Sequence, residues 1–362
     1  MRPNTHEIAR RALSSASTKM SGMPEADLDQ REGRAPHLVQ QPDELALSLR
    51  SLDCVATRDG LHLRVARWQK TNEPVGTLVI CAGRAEFIEK YYETIADLLA
   101  RNLVVVAFDW RGQGLSDHEL SNRRKGHIDD FSLYERDLDA LVEHVLTPVC
   151  PQPWFGLAHS MGGTILLEQA RHGRSPFARV VLTSPMIGIY GLSSPRLARA
   201  VLALLDYVGL GGAFLPGGGG ETATITRPFP GNVFTTDRQR HARSASYIGA
   251  HAPLGLGDPT IGWTHAAFRL MKQFEDVNYP RQIHLPILII ASGHDRIVDT
   301  RATERFAQRL KIGRLVIVPG AEHEILLERD PLRDLFWAAF DAFIPGKSRA
   351  VNPNAPSEAA KD

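Results

Sequence analysis

Six short runs of almost purely apolar residues punctuate the chain: TLVICA at 77–82, LVVVAF at 103–108, WFGLA at 154–158, ARVVLT at 178–183, PILIIA at 286–291 and RLVIV at 314–318. Runs of this length without polar alternation mark strands buried on both faces. Helical spacing fills most of the intervals. Lys90–Arg101 places Tyr91, Ile95, Leu98 and Leu99 on one face, and Met161–His172 and Thr300–Leu310 follow later strands. Ser132–Leu146 is expected to start at a capping box, Ser132 with Glu135. A last helix is expected from Asp330-Pro331, with Leu332, Leu335, Phe336, Ala339, Phe340 and Phe343 as its apolar stripe. Ahead of all this, Asp59-Gly60 between Leu52–Arg58 and Leu61–Trp68 predicts a hairpin. Strands alternating with helices predict an α/β chain, with a mostly parallel central sheet and helices on both faces.

The alternation stops between Pro185 and Tyr279. So long a segment is uncommon as a structureless loop, and it is read as an inserted helical cap over residues 185–279. Residues 46–184 and 280–345 then form the core. Residues 1–45 and 346–362 are polar and aperiodic and are expected to be disordered.

Composition narrows the function. With 362 residues and a formal charge of +1 the chain has no basic footprint for nucleic acid. No run is long enough to span a membrane, and no apolar segment follows the polar N-terminus as a signal peptide would require. Cys54, Cys81 and Cys150 are too few and too scattered for a metal site or a disulfide framework. A cytoplasmic protein is expected, with peripheral contact to the inner membrane as an option. The glycine run Gly217–Gly220 lacks the Lys-Ser or Lys-Thr of a phosphate loop.

Chemistry concentrates at Trp154–Thr164, WFGLAHSMGGT, where a buried strand meets a helix at Ser160. A serine hydroxyl is a weak nucleophile. It needs a base, the base needs an orienting group, and the oxyanion that forms needs fixed donors. A strand-to-helix elbow exposes the hydroxyl and turns the next N–H, that of Met161, toward the oxyanion. Small neighbours are required; Gly162 and Gly163 qualify, and Ala158 stands where G-x-S-x-G has glycine. In PILIIASGHDRIVD, Asp295 follows a buried strand, with Asp299 as the competing acid. In RLVIVPGAEHEIL, His323 follows the next one. Ser160, Asp295 and His323 thus fall beyond strand ends, the edge at which open α/β sheets bind ligands. His159 is expected to pack the elbow, and His127 to sit in a loop near the site. The turn after TLVICA offers the Arg84 N–H as the second oxyanion donor.

Together, ICAGRAEFIEKYYE, FDWRGQGLSD, GLAHSMGGT, GHDRIVD and GAEHEILLERD resemble the α/β-hydrolase superfamily. More narrowly they resemble its monoglyceride lipase and bacterial lysophospholipase branch, some members of which are labelled serine aminopeptidases. The resemblance spans roughly residues 50–345 and implies the α/β-hydrolase fold. It implies Ser160 as nucleophile, His323 as base, Asp295 as orienting acid, and Arg84 and Met161 N–H groups as oxyanion hole. It also implies cleavage of monoacyl lipid esters through an acyl-enzyme, without metal or organic cofactor. Two departures are Ala158 and Ala82, the latter in place of a lipase-type histidine.

An amidase or aminopeptidase on the same triad is the alternative. Acidic residues of the insertion, Asp206, Glu221, Asp237, Asp258, Glu275 and Asp276, would favour it if they held a substrate amine. A non-catalytic receptor of the same fold would be expected to lack a triad member. Trp263 and Phe268 are taken as acyl-pocket residues. The helix Arg196–Val208 is either a greasy rim touching lipid, with Arg196 and Arg199 toward phosphates, or a buried helix.

Overall fold

Eight strands build one sheet: β1 (Leu49–Ala56), β2 (His62–Trp68), β3 (Thr77–Cys81), β4 (Val104–Phe108), β5 (Trp154–His159), β6 (Arg179–Thr183), β7 (Ile287–Ser292) and β8 (Gly313–Val318). Their order is β1-β2-β4-β3-β5-β6-β7-β8. The β1–β2 and β2–β4 pairs are antiparallel and all others parallel. Every residue of β3 and of β4 is buried, so layers cover both faces of the sheet there. Each Val, Leu or Ile sequestered this way contributes about 1.5–3 kcal/mol. The edge strands β1 and β8 keep exposed residues.

The computed structural model describes residues 35–192, 194–226 and 229–345. The chain divides into two units, Met1–His37 and Leu38–Asp362; in the first, residues 35–37 are described and carry no regular structure. Residues 1–34 and 346–362, expected to be disordered, lie outside the described residues. The remainder of the expected extension behaves differently. Within the second unit, Asp43–Ala46 form a helical turn and Leu45 is buried. The Val39 N–H donates to Glu89 at 3.1 Å, and the Tyr92 hydroxyl donates to the Val39 carbonyl at 3.2 Å. The packed chain therefore begins before residue 46, because Glu89 and Tyr92 offer polar partners to a segment with little hydrophobic pattern of its own.

Among the described residues, the α-helices of eight residues or more are α1 (Tyr92–Ala100), α2 (Ser132–Leu141), α3 (Met161–Arg171), α4 (Pro195–Leu205), α5 (Arg238–Ala250), α6 (Ile261–Phe274), α7 (Thr300–Ala307) and α8 (Asp330–Phe343). Three of them, α4, α5 and α6, belong to the insertion between β6 and β7. The capping box at Ser132 does not form: Asp130 accepts the Ser132 N–H at 2.8 Å, and Glu135 pairs with Arg174 instead. In α8 the buried stripe is rotated from the expected one. Leu335 is 46% exposed, whereas Trp337 is 8% exposed and packs under the Arg101 guanidinium, 3.8 Å from the ring centroid. Charge fastens α5 to the core. Arg240 donates to Glu93 of α1 at 2.6 and 2.9 Å and to Asp330 of α8 at 2.6 Å. Arg333 of α8 reaches the same Glu93 at 2.8 Å.

Candidate active site

Ser160 joins β5 to α3 with φ 47° and ψ −111°, a region of backbone space that non-glycine residues rarely occupy and that is held only where the surroundings enforce it. The enforcement is visible. Its N–H donates to the Thr183 carbonyl at 3.0 Å, and its carbonyl accepts from Thr164 at 3.2 Å and Met186 at 3.1 Å. The helix also runs against the end of β3. A Cβ on Gly162 would stand 2.2 Å from the Cys81 carbonyl oxygen. This glycine, rather than the one replaced by Ala158, is where the elbow has no room for a side chain; the Ala158 methyl is fully buried in β5.

His323 and Asp295 meet beyond β8 and β7. His323 Nδ1 lies 2.8 Å from Asp295 Oδ2, and both residues are buried. Asp295 Oδ1 accepts the Ile297 and Val298 N–H groups at 2.8 and 2.9 Å. Burial alone would raise the Asp295 pKa, but His323 and these hydrogen bonds outweigh it, and the carboxyl is held below its ordinary value. The carboxylate thus presents one oxygen to the imidazole, favouring the tautomer with Nδ1 protonated and Nε2 free to accept. Asp299 has another task, accepting the Arg301 N–H at 2.9 Å as the cap of α7. The His323 ring stands 4.7 Å from the ring of His159, the residue before Ser160, which brings it to the elbow. His159 itself is buried against Thr183, with Nδ1 3.1 Å from both its carbonyl and its hydroxyl. Burial drops its pKa to about 4, so at neutral pH it is an uncharged packing group.

Residues not anticipated from sequence shape the loop after β3. Gln113 donates to the Gly83 carbonyl at 3.1 Å and accepts the Ala85 N–H at 2.6 Å. In a trans peptide the C=O and N–H point in opposite directions. Pinning the Gly83 carbonyl therefore aims the Arg84 N–H away from Gln113. Trp110 braces the same loop through the Ala82 carbonyl at 2.9 Å. Glu86 holds its other side, accepting from the Gly83 N–H, the Tyr91 hydroxyl and, at 2.8 Å, Lys90. Burial opposes the charge on Glu86, but Lys90 and the hydrogen bonds keep its pKa below the usual carboxylate range. Lys90 also reaches Glu324 at 2.6 Å, so the loop is tied to the residue following His323. Met161 opens α3, where a backbone N–H has no acceptor within its own helix. Signals for Glu86 and Lys90 existed in the GRAEFIEKYYE stretch, but no spacing rule links them to the histidine loop.

The two aromatic residues of the insertion separate. Trp263 and Phe268 are five positions apart in α6, about 140° around the axis. Trp263 lies 5.2 Å beneath the Arg84 guanidinium and donates to the Tyr134 hydroxyl at 3.1 Å. Phe268, like Trp263, is a buried residue of the hydrophobic core. His127 is engaged by Thr260 and Asp129, each at 3.0 Å. In α4, Leu197, Val201 and Leu204 are 47–65% exposed, as is Val208 just beyond it, while Leu202 is buried, so the helix is not buried all round. Arg199 pairs with Glu275 at 2.6 Å and does not face outward.

A serine at a strained elbow, with an Asp–His pair at neighbouring strand ends of this sheet order, defines a serine hydrolase of the α/β-hydrolase fold. The chain belongs to the family described as serine aminopeptidase, S33, whose model matches residues 72–330. Lysophospholipase L2 of Escherichia coli K12 is 30% identical over 295 residues, covering 76% of this chain and 82% of that protein. The monoacylglycerol lipase of Mycolicibacterium smegmatis is 24% identical, with 78% and 92% covered. Among solved structures, a soluble variant of Saccharomyces cerevisiae monoglyceride lipase superposes with a TM-score of 0.64 at 19% identity, over 86% of this chain and 98% of that one. Among the described residues no helix is long and apolar enough to cross a membrane.

Proposed function

We propose that this ester hydrolase cleaves monoacyl lipids, lysophospholipids or monoacylglycerols, through an acyl-enzyme on Ser160. The observation that carries the reading is the buried His323–Asp295 hydrogen bond beside the Ser160 elbow. His323 takes the Ser160 proton as the oxygen attacks the ester carbonyl. The Arg84 and Met161 N–H groups receive the oxyanion. His323 then protonates the departing alcohol, and water frees the fatty acid by the same steps in reverse. The named relatives act as support: a lysophospholipase and lipases cover most of the chain.

The amide alternative draws less support from the acids of the insertion. Asp206 is taken by His265 at 2.7 Å, Asp237 by the start of α5, Asp258 by the Gly219 N–H at 3.0 Å, Glu275 by Arg199 and Asp276 by the Asn278 N–H at 2.9 Å. Of the six, Glu221 alone has no such partner among the described residues.

The insertion acts in this reading as a cap whose exposed α4 stripe meets a lipid surface. A panel of lysophospholipids, monoacylglycerols and aminoacyl amides, offered in solution and in phosphatidylcholine vesicles, tests both parts. Monoacyl lipids should be turned over and amides not. Leu204→Glu should slow turnover of vesicle-borne substrate about tenfold, relative to a soluble short-chain ester. Preference for the amides would overturn the ester reading; an unchanged ratio would overturn the lipid-facing role of α4.

Glu86 is a positioning residue in this mechanism. Glu86→Gln can keep its oxygen on the Gly83 N–H only by turning its NH₂ toward Lys90, which loosens the loop. The expected result is a kcat about 10–100-fold lower with KM little changed, below the 10²–10³-fold cost of losing an oxyanion donor outright. Steady-state kinetics on a soluble ester check it; a change confined to KM would remove Glu86 from the positioning of the loop.

A further inference from the structure

Several buried arginines elsewhere in this protein meet carboxylates. Arg64 is bound by Glu89 and Asp109, Arg111 by Asp137, and Arg333 by Glu93 and Asp97. The oxyanion loop breaks that pattern. Arg84 leaves the loop after β3 and stretches across to the insertion, where its Nη2 donates to the Gly257 carbonyl at 2.8 Å and its guanidinium lies 5.2 Å over the Trp263 ring. Its Nε is buried and has no hydrogen-bond partner. Burial lowers its pKa only to about 10, so the group is a cation at neutral pH. The Asp258 carboxylate acts on it through space and also accepts the Gly219 N–H at 3.0 Å.

Two further cations, Arg124 and Lys125, meet other parts of the insertion. Arg124 donates to the Gly255 carbonyl at 3.1 Å and to the Thr222 hydroxyl at 3.2 Å, and its own carbonyl accepts the Gly257 N–H at 2.9 Å. Lys125 stands 5.3 Å over the Phe214 ring. Arg84, Arg124 and Lys125 are each met by carbonyls, a hydroxyl or ring faces. A buried guanidinium with an unpartnered N–H favours an anion with several acceptor oxygens.

We propose that Arg84, backed by Arg124 and Lys125, forms the subsite for the phosphodiester of a monoacyl glycerophospholipid, and so selects lysophospholipids over monoacylglycerols. The inference rests on the monoacyl-ester reading of the site. In such a lipid the phosphate and the acyl ester sit on the same glycerol unit. With the ester carbonyl under the Arg84 N–H, the phosphate falls within reach of the side chain of that same residue. A monoacylglycerol presents a neutral hydroxyl there and leaves the cation without its partner.

The test uses the full chain carrying Ser160→Ala, so that binding is read without turnover. An ether-linked lysophosphatidylethanolamine, the matching 1-O-alkylglycerol and glycerol 3-phosphate are the probes. The lysophospholipid analogue should bind at least tenfold more tightly than the alkylglycerol. Adding Arg84→Met should abolish that preference, and adding Arg124→Met should reduce it severalfold. Equal affinity for the two lipids in Ser160→Ala overturns the proposal whether or not the Arg84 variant folds. Glycerol 3-phosphate binding as tightly as the lysophospholipid overturns the lipid assignment in favour of a free phosphate ester. In parallel, the ratio of kcat/KM for acyl lysophosphatidylethanolamine over monoacylglycerol should fall at least tenfold in Arg84→Met. A wild-type chain that binds with the phosphate preference but hydrolyses neither lipid would sink the reading of the reaction while leaving the subsite standing.

Discussion

Ser160→Ala is expected to lower kcat for a medium-chain ester by roughly 10⁶-fold, the scale seen when a triad nucleophile is removed. The fold should survive. The contacts that hold the elbow are made by the backbone of residue 160, through Thr183, Thr164 and Met186, and alanine retains all of them. Thermal melting should therefore change by no more than a few degrees. A fluorophosphonate probe should add its mass to the Ser160 peptide of the folded wild-type chain and to no peptide of the variant. Retained turnover, or labelling at another serine, would take the nucleophile away from this elbow.

The second large effect is expected at the acid. Asp295→Asn should cost about 10⁴-fold in kcat. The carboxylate now accepts from His323 Nδ1 at 2.8 Å while its other oxygen holds two backbone N–H groups. An amide can satisfy those N–H groups with its oxygen, but it then turns its NH₂ toward the ring. The imidazole must accept at Nδ1 and carry its proton on Nε2, where it can no longer take one from Ser160. The same residue predicts a pH effect on stability. Its folded pKa lies below the ordinary 3.8, so its contribution is complete above that ordinary value and is lost as pH falls through the lower folded one. The Tm gap between wild type and Asp295→Asn should accordingly narrow as melts are taken from about pH 6 toward about pH 3. Activity within tenfold of wild type would shift the role to Asp299, which caps α7 in the structure.

The strands were readable because burial on both faces leaves no place for polar residues, and a run such as LVVVAF has few other uses. The positions of Ser160, Asp295 and His323 were readable for a related reason, since each follows such a run by a few residues. Helix starts were less so. Ser132 and Asp130 are both competent caps, and only the approach of the chain decides that Asp130 accepts the Ser132 N–H. The supports of the oxyanion loop were not readable at all. Gln113 meets Ala85 and Gly83 from 28 and 30 residues away, and such pairings come from how β3 and β4 lie side by side rather than from local pattern. The insertion was opaque because its apolar residues serve two masters. Leu202 faces inward while Leu197 and Leu204 of the same helix face out, and composition does not distinguish them.

The Lys90 bridge sets a timetable. Its two carboxylates belong to the loop after β3 and to the loop after β8, with Lys90 and Glu324 234 residues apart in sequence. Asp295 and His323 likewise arrive with the last two strands of the sheet, long after the serine. A ribosome-bound chain that has laid down β1 to β6 has Ser160 without Asp295 or His323, and a Gly83 loop that still lacks its tie to Glu324. N-terminal parts of a protein emerge and begin folding first, so the His323–Asp295 pair reaches the elbow only once the far edge of the sheet has docked. The partly made molecule has the elbow but not yet the pair of groups that meets it.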